Sequence, residues 1–290
     1  MIQKVLISLK NHLPKSLFIK LRKGYYLTLN RLHPRISESE FRQLLTDRLG
    51  VTKGSVVFIH SSVDKLFLGF PFYDILPILK DLVGPEGTLL FPSSHFNIRA
   101  EEYLNKSDAV FDVKRSVTVR GLLPEMARMD ENACRSLHPT NSVVAIGRYA
   151  EELTRYHQDT IYPLGEKSPF YEMIKYGGII IGLGISVDRL SFVHCVEDVM
   201  KEEFPVKTRN EEIYECKVID NDRNIRKINT LVASPEVQHR NVIMFFRKYI
   251  PADICKVMTC KGVSFFTADS KRLFDKMVLL AKEGKTIYNL

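Results

Sequence analysis

The chain has 290 residues, of which 45% are hydrophobic and 26% charged, the composition of an ordinary globular protein with a substantial core. Collagen, coiled coil, disordered chain and disulfide scaffold are excluded. The formal net charge of +8 comes from residues 1–36, which hold eight lysines or arginines and no acidic residue. The rest of the chain is balanced, so we expect no nucleic-acid partner.

Residues 1–36 form a basic leader with apolar residues every three or four positions, which predicts short amphipathic helices broken at Pro14 and Gly24. Two roles stay open for the leader. It packs against the body of the protein or a second copy in a homodimer, which we favour, or it contacts an anionic membrane surface.

Five cysteines occur without a CxxC pair, which argues against a disulfide framework or a zinc cluster and predicts no metal site. No secretory signal and no apolar run long enough to span a membrane is apparent. We therefore predict a cytoplasmic protein, with peripheral contact at the inner face of the membrane as the alternative that the leader leaves open.

The predicted elements alternate from residue 37 onwards. In the first part of the chain they are a helix at 40–49, a strand at 55–59, a helix at 73–83, a strand at 88–91, a helix at 122–129, a strand at 143–146 and a helix at 150–156. A short helix from residue 168, a strand at 178–184, a helix at 192–203, a hairpin around 221–224, a helix at 235–249, a strand pair at 255–266 and a helix at 270–283 follow. This order predicts an α/β fold with a mixed central sheet flanked by helices, a smaller C-terminal α+β lobe from about residue 206, and an N-terminal helical extension.

Four polar segments lie at predicted strand ends, where open α/β sheets place their sites. They are residues 60–62, 135–142, 165–169 and 182–197. In the last of these, Glu197 follows His194 by three residues, which puts both on one helical face. A neutral imidazole can remove a proton near pH 7, and a carboxylate can orient the ring and stabilise its imidazolium.

His138 lies in a loop before Pro139 and is a second candidate, for substrate binding or for shaping the pocket. The alternative, that His138 only satisfies nearby backbone groups, has equal weight. Cys195 beside His194 faces another direction on the helix, and a buried structural thiol is the expected role.

These segments, in this order, resemble the aminoglycoside 3-N-acetyltransferase family. The resemblance also includes a Gly-Pro-Glu-Gly-Thr turn at 84–88 and a Ser-x-Thr-x-x-Gly-x-x-Pro-Glu string at 116–125, and it extends over about residues 38–285. Asn141 stands where the family usually has a second histidine. In the family, the region that faces the cationic drug is rich in acidic residues, whereas few acidic residues precede Phe111 in this chain. The identity of the acceptor therefore stays open, and acyl transfer is the expected reaction.

The resemblance implies transfer from acetyl-CoA or another acyl-CoA to an amino group of an amino sugar, either an aminoglycoside or a precursor of a surface polysaccharide. It implies His194 as general base, Glu197 as its orienter and His138 as a third site residue. The CoA-binding residues that it implies are His60, Ser61, Ser62, Lys65, Thr118, Gly121 and Ser168. A non-catalytic protein that keeps the fold and binds a membrane surface or a partner is the alternative.

Overall fold

The computed structural model describes residues 33–289 together with Pro14, Leu17 and Lys20, without the side chains of Glu236 and Gln238. The predicted leader helices lie almost entirely outside the described residues.

The main sheet has seven strands in the order β4-β5-β2-β1-β6-β10-β9. These strands are β1 Val56–Ser61, β2 Thr88–Pro92, β4 Cys134–Arg135, β5 Val143–Gly147, β6 Ile179–Leu183, β9 Cys255–Cys260 and β10 Val263–Asp269. Strand β1 pairs in parallel with β2 and β6, and the outer pairs are antiparallel. The carboxyl end of β1 is therefore central in the sheet.

Helices cover both faces of this sheet. The described α-helices are α1 Glu38–Gln43, α2 Ile75–Val83, α3 Ala100–Leu104, α4 Leu122–Arg128, α5 Ala150–Thr154, α6 Pro169–Glu172, α7 Val193–Met200, α8 Val242–Tyr249 and α9 Ser270–Lys282. Helix α1 begins with a capping box in which Ser37 accepts a hydrogen bond from the Glu40 amide and Glu40 accepts one from the Ser37 amide.

The alternation of side chains along β1 divides the core into two layers. Val56 and Phe58 belong to the layer that contains α7, whereas Val57 and Ile59 belong to the layer on the opposite face. All four are buried, which explains why this strand is a continuous apolar run in the sequence. With both faces covered, polar groups of β1 meet solvent only at its carboxyl end.

The mixed sheet and the flanking helices confirm the predicted fold class. The second, three-stranded sheet joins β7 Tyr214–Ile219 and β8 Ile225–Thr230 to β3 Val110–Asp112, a strand that the sequence analysis had missed. The final hairpin, β9 and β10, belongs to the main sheet instead of to a separate lobe. The division at about residue 206 therefore does not coincide with the division between the two sheets.

Candidate active site

The site is built around His194, on the first turn of α7. Its Nδ1 lies 2.8 Å from Glu197 Oε1, the pairing expected from a spacing of three on a helix. Because an ionised carboxylate can only accept, Nδ1 carries the proton and Nε2 carries the lone pair. The Nε2 atom lies 2.5 Å from an Arg240 guanidinium nitrogen, which donates to that lone pair. This is the tautomer that a general base requires.

Glu197 is almost completely buried, and its Oε1 also accepts a hydrogen bond from the Tyr288 hydroxyl at 2.8 Å. Burial alone would raise the pKa of this carboxyl, but His194, Arg209 and Tyr288 together lower it below the ordinary value. Burial and the nearby Glu197 raise the pKa of Tyr288, so its hydroxyl stays protonated and donates. The site thus holds an ionised carboxylate behind the ring.

A second buried ion pair supports the next residue of α7. Asp198 accepts two hydrogen bonds from the Arg209 guanidinium, both at 2.6 Å, and one from the Leu164 amide at 2.7 Å. Because breaking a buried pair leaves an uncompensated charge, this pair holds α7 in place close to His194.

His194 faces a cavity of about 460 Å³, which we call the inner cavity. Its lining residues are His60, Ser61, Pro92, Ser94, Val119, Arg120, Asn141, Ser142, Leu164, Phe170, Ile185, Arg189, Ser191, His194 and Arg240. Two of its arginines come from connecting segments: Arg189 ends a short turn, Val187–Arg189, and Arg240 lies just before α8.

A second cavity, of about 650 Å³, adjoins the first, and we call it the outer groove. Its lining residues are Arg35, Ser61, Ser62, Val63, Asp64, Phe67, Leu68, Phe70, Pro71, Phe72, Val119, Arg120, Gly121 and Leu122. Ser61, Val119 and Arg120 line both spaces. A ligand in the outer groove can therefore reach the inner cavity at the end of β1.

Two polar atoms at this junction have no hydrogen-bond partner among the described residues. They are His60 Nε2 and Ser61 Oγ, and both are buried. Burial lowers the pKa of His60 to about 4, so its ring is neutral at pH 7. Because unpaired buried polar groups are costly, these atoms indicate a place where a ligand supplies the missing hydrogen bonds.

The structure brings together only some of the residues predicted to bind CoA. Ser61, Ser62 and Gly121 line the outer groove, and His60 lines the inner cavity. Gly121 has φ +118°, a conformation that favours glycine. Gly184, with φ +67°, allows the chain to pass close to Ser62, because a Cβ there would be 2.8 Å from the Ser62 carbonyl oxygen.

Lys65, Thr118 and Ser168 are not among the residues that line these two spaces. Ser168 is fully buried and is the N-cap of α6, where it accepts from the Tyr171 amide. Thr118 is buried, and its hydroxyl accepts from the Arg120 amide. Thr118 therefore positions a lining residue.

His138 is also placed away from the inner cavity lining. It is fully buried, its ring stacks on that of His157, and burial lowers its pKa far below the ordinary value. Its Nδ1 accepts from the Thr140 and Asn141 amides at 3.4 Å. His138 therefore contacts the turn that carries Asn141, which lines the inner cavity.

The sequence analysis did not find Tyr288, Arg240 or Arg189. Tyr288 and Arg240 are 91 and 46 residues away from their partners on α7. No local pattern connects positions that distant, so only the folded chain reveals these contacts. Cys195 is buried and its pKa is raised well above the ordinary value by burial, in agreement with the expected structural thiol.

Among the described residues, no cluster of His, Cys, Asp or Glu side chains has the arrangement of a metal site. Within the same residues, every helix is too short or too polar to cross a bilayer.

The fold thus presents two adjoining cavities at the carboxyl end of β1, with His194 in the lining of the inner one. A family model of aminoglycoside 3-N-acetyltransferases matches residues 58–278. The chain belongs to this family. An aminoglycoside N(3)-acetyltransferase III from Salmonella sp is 31% identical in an alignment 186 positions long, which covers 57% of this chain and 65% of that relative.

Solved structures show the same fold. AAC-IIIb, solved as a binary complex with CoASH, has a TM-score of 0.72 at 21% identity and covers 87% of this chain and 98% of its own. The aminoglycoside acetyltransferase AAC(3)-Xa has a TM-score of 0.74 at 21% identity and covers 93% and 99%, respectively.

Proposed function

We propose that this protein is an N-acyltransferase that transfers an acetyl group from acetyl-CoA to an amine of an amino sugar. One observation carries this proposal: the His194 lone pair faces the inner cavity while an ionised, buried Glu197 holds the opposite nitrogen of the ring. Family membership supports the same reaction class. A family member that had lost its activity would not require a buried carboxylate behind the histidine ring, so we do not favour the non-catalytic alternative.

The base acts on the acceptor. An amine attacks a thioester only through a free lone pair, and His194 Nε2 is the proton acceptor that faces the inner cavity. Proton transfer to Nε2 makes the ring an imidazolium. Glu197, whose pKa is lowered, then stabilises the positive charge, and Tyr288 holds the carboxylate oxygen in place.

The outer groove is the proposed acetyl-CoA site. Acetyl-CoA supplies the acetyl group as a thioester. The outer groove fits such a molecule because its apolar wall, with Phe72 and Leu122, suits an extended pantetheine arm. Ser61 Oγ and Arg120 lie at the junction, where polar donors are needed. The residues that we assign to the groove are Ser61, Ser62, Arg120 and Gly121.

The test is acetyl transfer to a panel of amino sugars, followed through release of the free thiol. We expect His194→Ala to lower kcat about 100-fold to 10,000-fold, the usual contribution of a general base. The variant should still unfold at the wild-type temperature and bind CoA with wild-type affinity. Turnover close to wild type in this variant would remove His194 from the reaction.

For the leader we propose packing on the body of the protein or in a homodimer, with reversible contact with an anionic membrane as the alternative that vesicle binding tests. The eight basic residues of the leader would contribute about 1 kcal/mol each close to such a surface. Under this alternative, replacing Lys4, Lys10 and Lys15 by Gln in the full chain weakens co-sedimentation with anionic vesicles roughly 100-fold at low salt. Equal sedimentation of both proteins would favour packing of the leader on the body or in a homodimer.

A further inference from the structure

The inner cavity has an unusual charge for a site that takes an amine. Arg189 and Arg240 line it, and Arg120 lines the junction with the outer groove. No aspartate or glutamate is found among the described residues of this lining. Glu197 is behind the His194 ring and is already bonded to it. A polycationic acceptor would thus meet guanidinium groups with no carboxylate to offset them.

Arg240 occupies the lone pair that the reaction needs. Its guanidinium nitrogen lies 2.5 Å from His194 Nε2, the atom that must accept a proton from the amine. The base is therefore covered in this structure. An anionic group in the inner cavity is a stronger partner for a guanidinium than a neutral imidazole, because both partners are charged.

Arg189 offers a second cationic group on another wall of the cavity. Its Nε is 3.3 Å from Asp188, whose carboxylate does not belong to the cavity lining, and the Arg189 side chain is 69% exposed. Two guanidinium groups from separate segments suit a phosphate or pyrophosphate, whose several oxygens can accept from both.

We propose that the acceptor is an amino sugar that also carries a phosphate or pyrophosphate group, and that Arg240 and Arg189 bind this group. Binding draws Arg240 away from His194 Nε2 and uncovers the base only when the correct acceptor is present. This inference rests on the proposed function and names the substrate class of the same site. It makes Arg240 a specificity-determining residue.

The test compares acceptors that differ in charge. Glucosamine, glucosamine 1-phosphate, UDP-glucosamine and the polycation sisomicin serve as acceptors for the wild type and for an Arg189→Gln, Arg240→Gln double variant. We expect kcat/KM for the better phosphorylated acceptor to exceed that for glucosamine by about 30-fold or more in the wild type, and by less than about 3-fold in the double variant. Arg247→Gln, an exposed charge loss on α8, is the matched control and should keep the wild-type ratio.

A binding measurement separates this inference from the proposed function. Calorimetry with inorganic pyrophosphate is carried out at saturating desulfo-CoA, so that the outer groove is filled. The double variant should bind pyrophosphate at least about 10-fold more weakly than the wild type. If the double variant loses pyrophosphate binding and the wild type transfers acetyl to none of the acceptors, the result would support the anion site and count against the transferase.

Two results would overturn the inference and leave the transferase in place. One is sisomicin or glucosamine as the best acceptor. The other is a ratio of phosphorylated to unphosphorylated acceptor that the double variant leaves unchanged. Equal affinity of both proteins for pyrophosphate, or no detectable binding to the wild type, would also refute it.

Discussion

Replacing Glu197 by Gln keeps the size of a buried side chain and removes its charge. In the wild type this carboxylate accepts from His194 Nδ1 and from Tyr288 through one oxygen, both at 2.8 Å. A neutral amide can still accept a hydrogen bond from the ring, so the packing and the tautomer should survive. What is lost is the attraction between the carboxylate and the imidazolium that forms in the proposed proton transfer to His194.

The size of this loss follows from the geometry. Two unit charges about 4 Å apart attract by about 4 kcal/mol at an effective dielectric constant of about 20. The amide dipole and the remaining Tyr288 hydrogen bond recover part of this. We therefore expect Glu197→Gln to raise the activation free energy by about 2 to 4 kcal/mol, a decrease in kcat of about 30-fold to 1000-fold.

The assay is steady-state acetyl transfer with a fixed acceptor between about pH 6 and pH 8, where Glu197 stays ionised because its pKa is lowered. The carboxylate stabilises the imidazolium at every pH above its own pKa and stops doing so only as the pH falls through that pKa. The decrease in kcat of Glu197→Gln should therefore persist across this range. Glu166→Gln, an exposed glutamate paired with Lys201, is the control and should keep wild-type kcat. A Glu197→Gln enzyme within about 3-fold of wild type would refute the charge argument.

Three further variants test the surroundings of the site. Tyr288→Phe removes one hydrogen bond to Glu197, and kcat should decrease about 5-fold to 30-fold with little change in KM, whereas an unchanged kcat would show that the contact is only structural. Gly184→Ala places a Cβ against the Ser62 carbonyl oxygen at a residue with positive φ. Calorimetry should therefore show a destabilisation of about 1 kcal/mol or more, and the KM for acetyl-CoA should rise. A wild-type melting temperature would contradict the close approach. Burial lowers the pKa of His157 to about 4, so between pH 6.5 and pH 4 the unfolded chain binds a proton that the folded chain does not, which lowers the free energy of unfolding by about 2 kcal/mol at pH 5. In His157→Gln the midpoint of urea unfolding should therefore decrease less steeply as the pH falls over this range. The same pH dependence in the variant and the wild type would contradict this.

Short-range signals made part of this protein predictable. The apolar run of β1 and the glycines around β6 were recognisable as buried strands, and a spacing of three placed Glu197 beside His194. The predicted helix over 235–249 was wrong in its middle. Asn241 caps a new helix there by accepting from the Met244 amide. That cap separates α8 from the preceding turn and places Arg240 at the cavity.

Contacts between distant segments were not predictable. The sequence of the β9–β10 hairpin shows the same hydrophobic pattern whether the hairpin forms a separate lobe or extends the main sheet. Pairing of β10 with β6 depends on tertiary packing. Ser168 is a position whose surroundings the sequence leaves open. A serine before proline suits both an N-cap and a ligand contact, and the structure shows Ser168 buried as the N-cap of α6.

Arg189 and Arg240 of the inner cavity lie on connecting segments, whereas His194 and Glu197 lie on a helix packed in the core. Surface connections accept substitutions that a packed helix does not. Mutation can therefore exchange the residues at 189 and 240, and with them the preferred acceptor, without disturbing α7. This layout separates the residues that we propose to select the acceptor from those that we propose to carry out the chemistry.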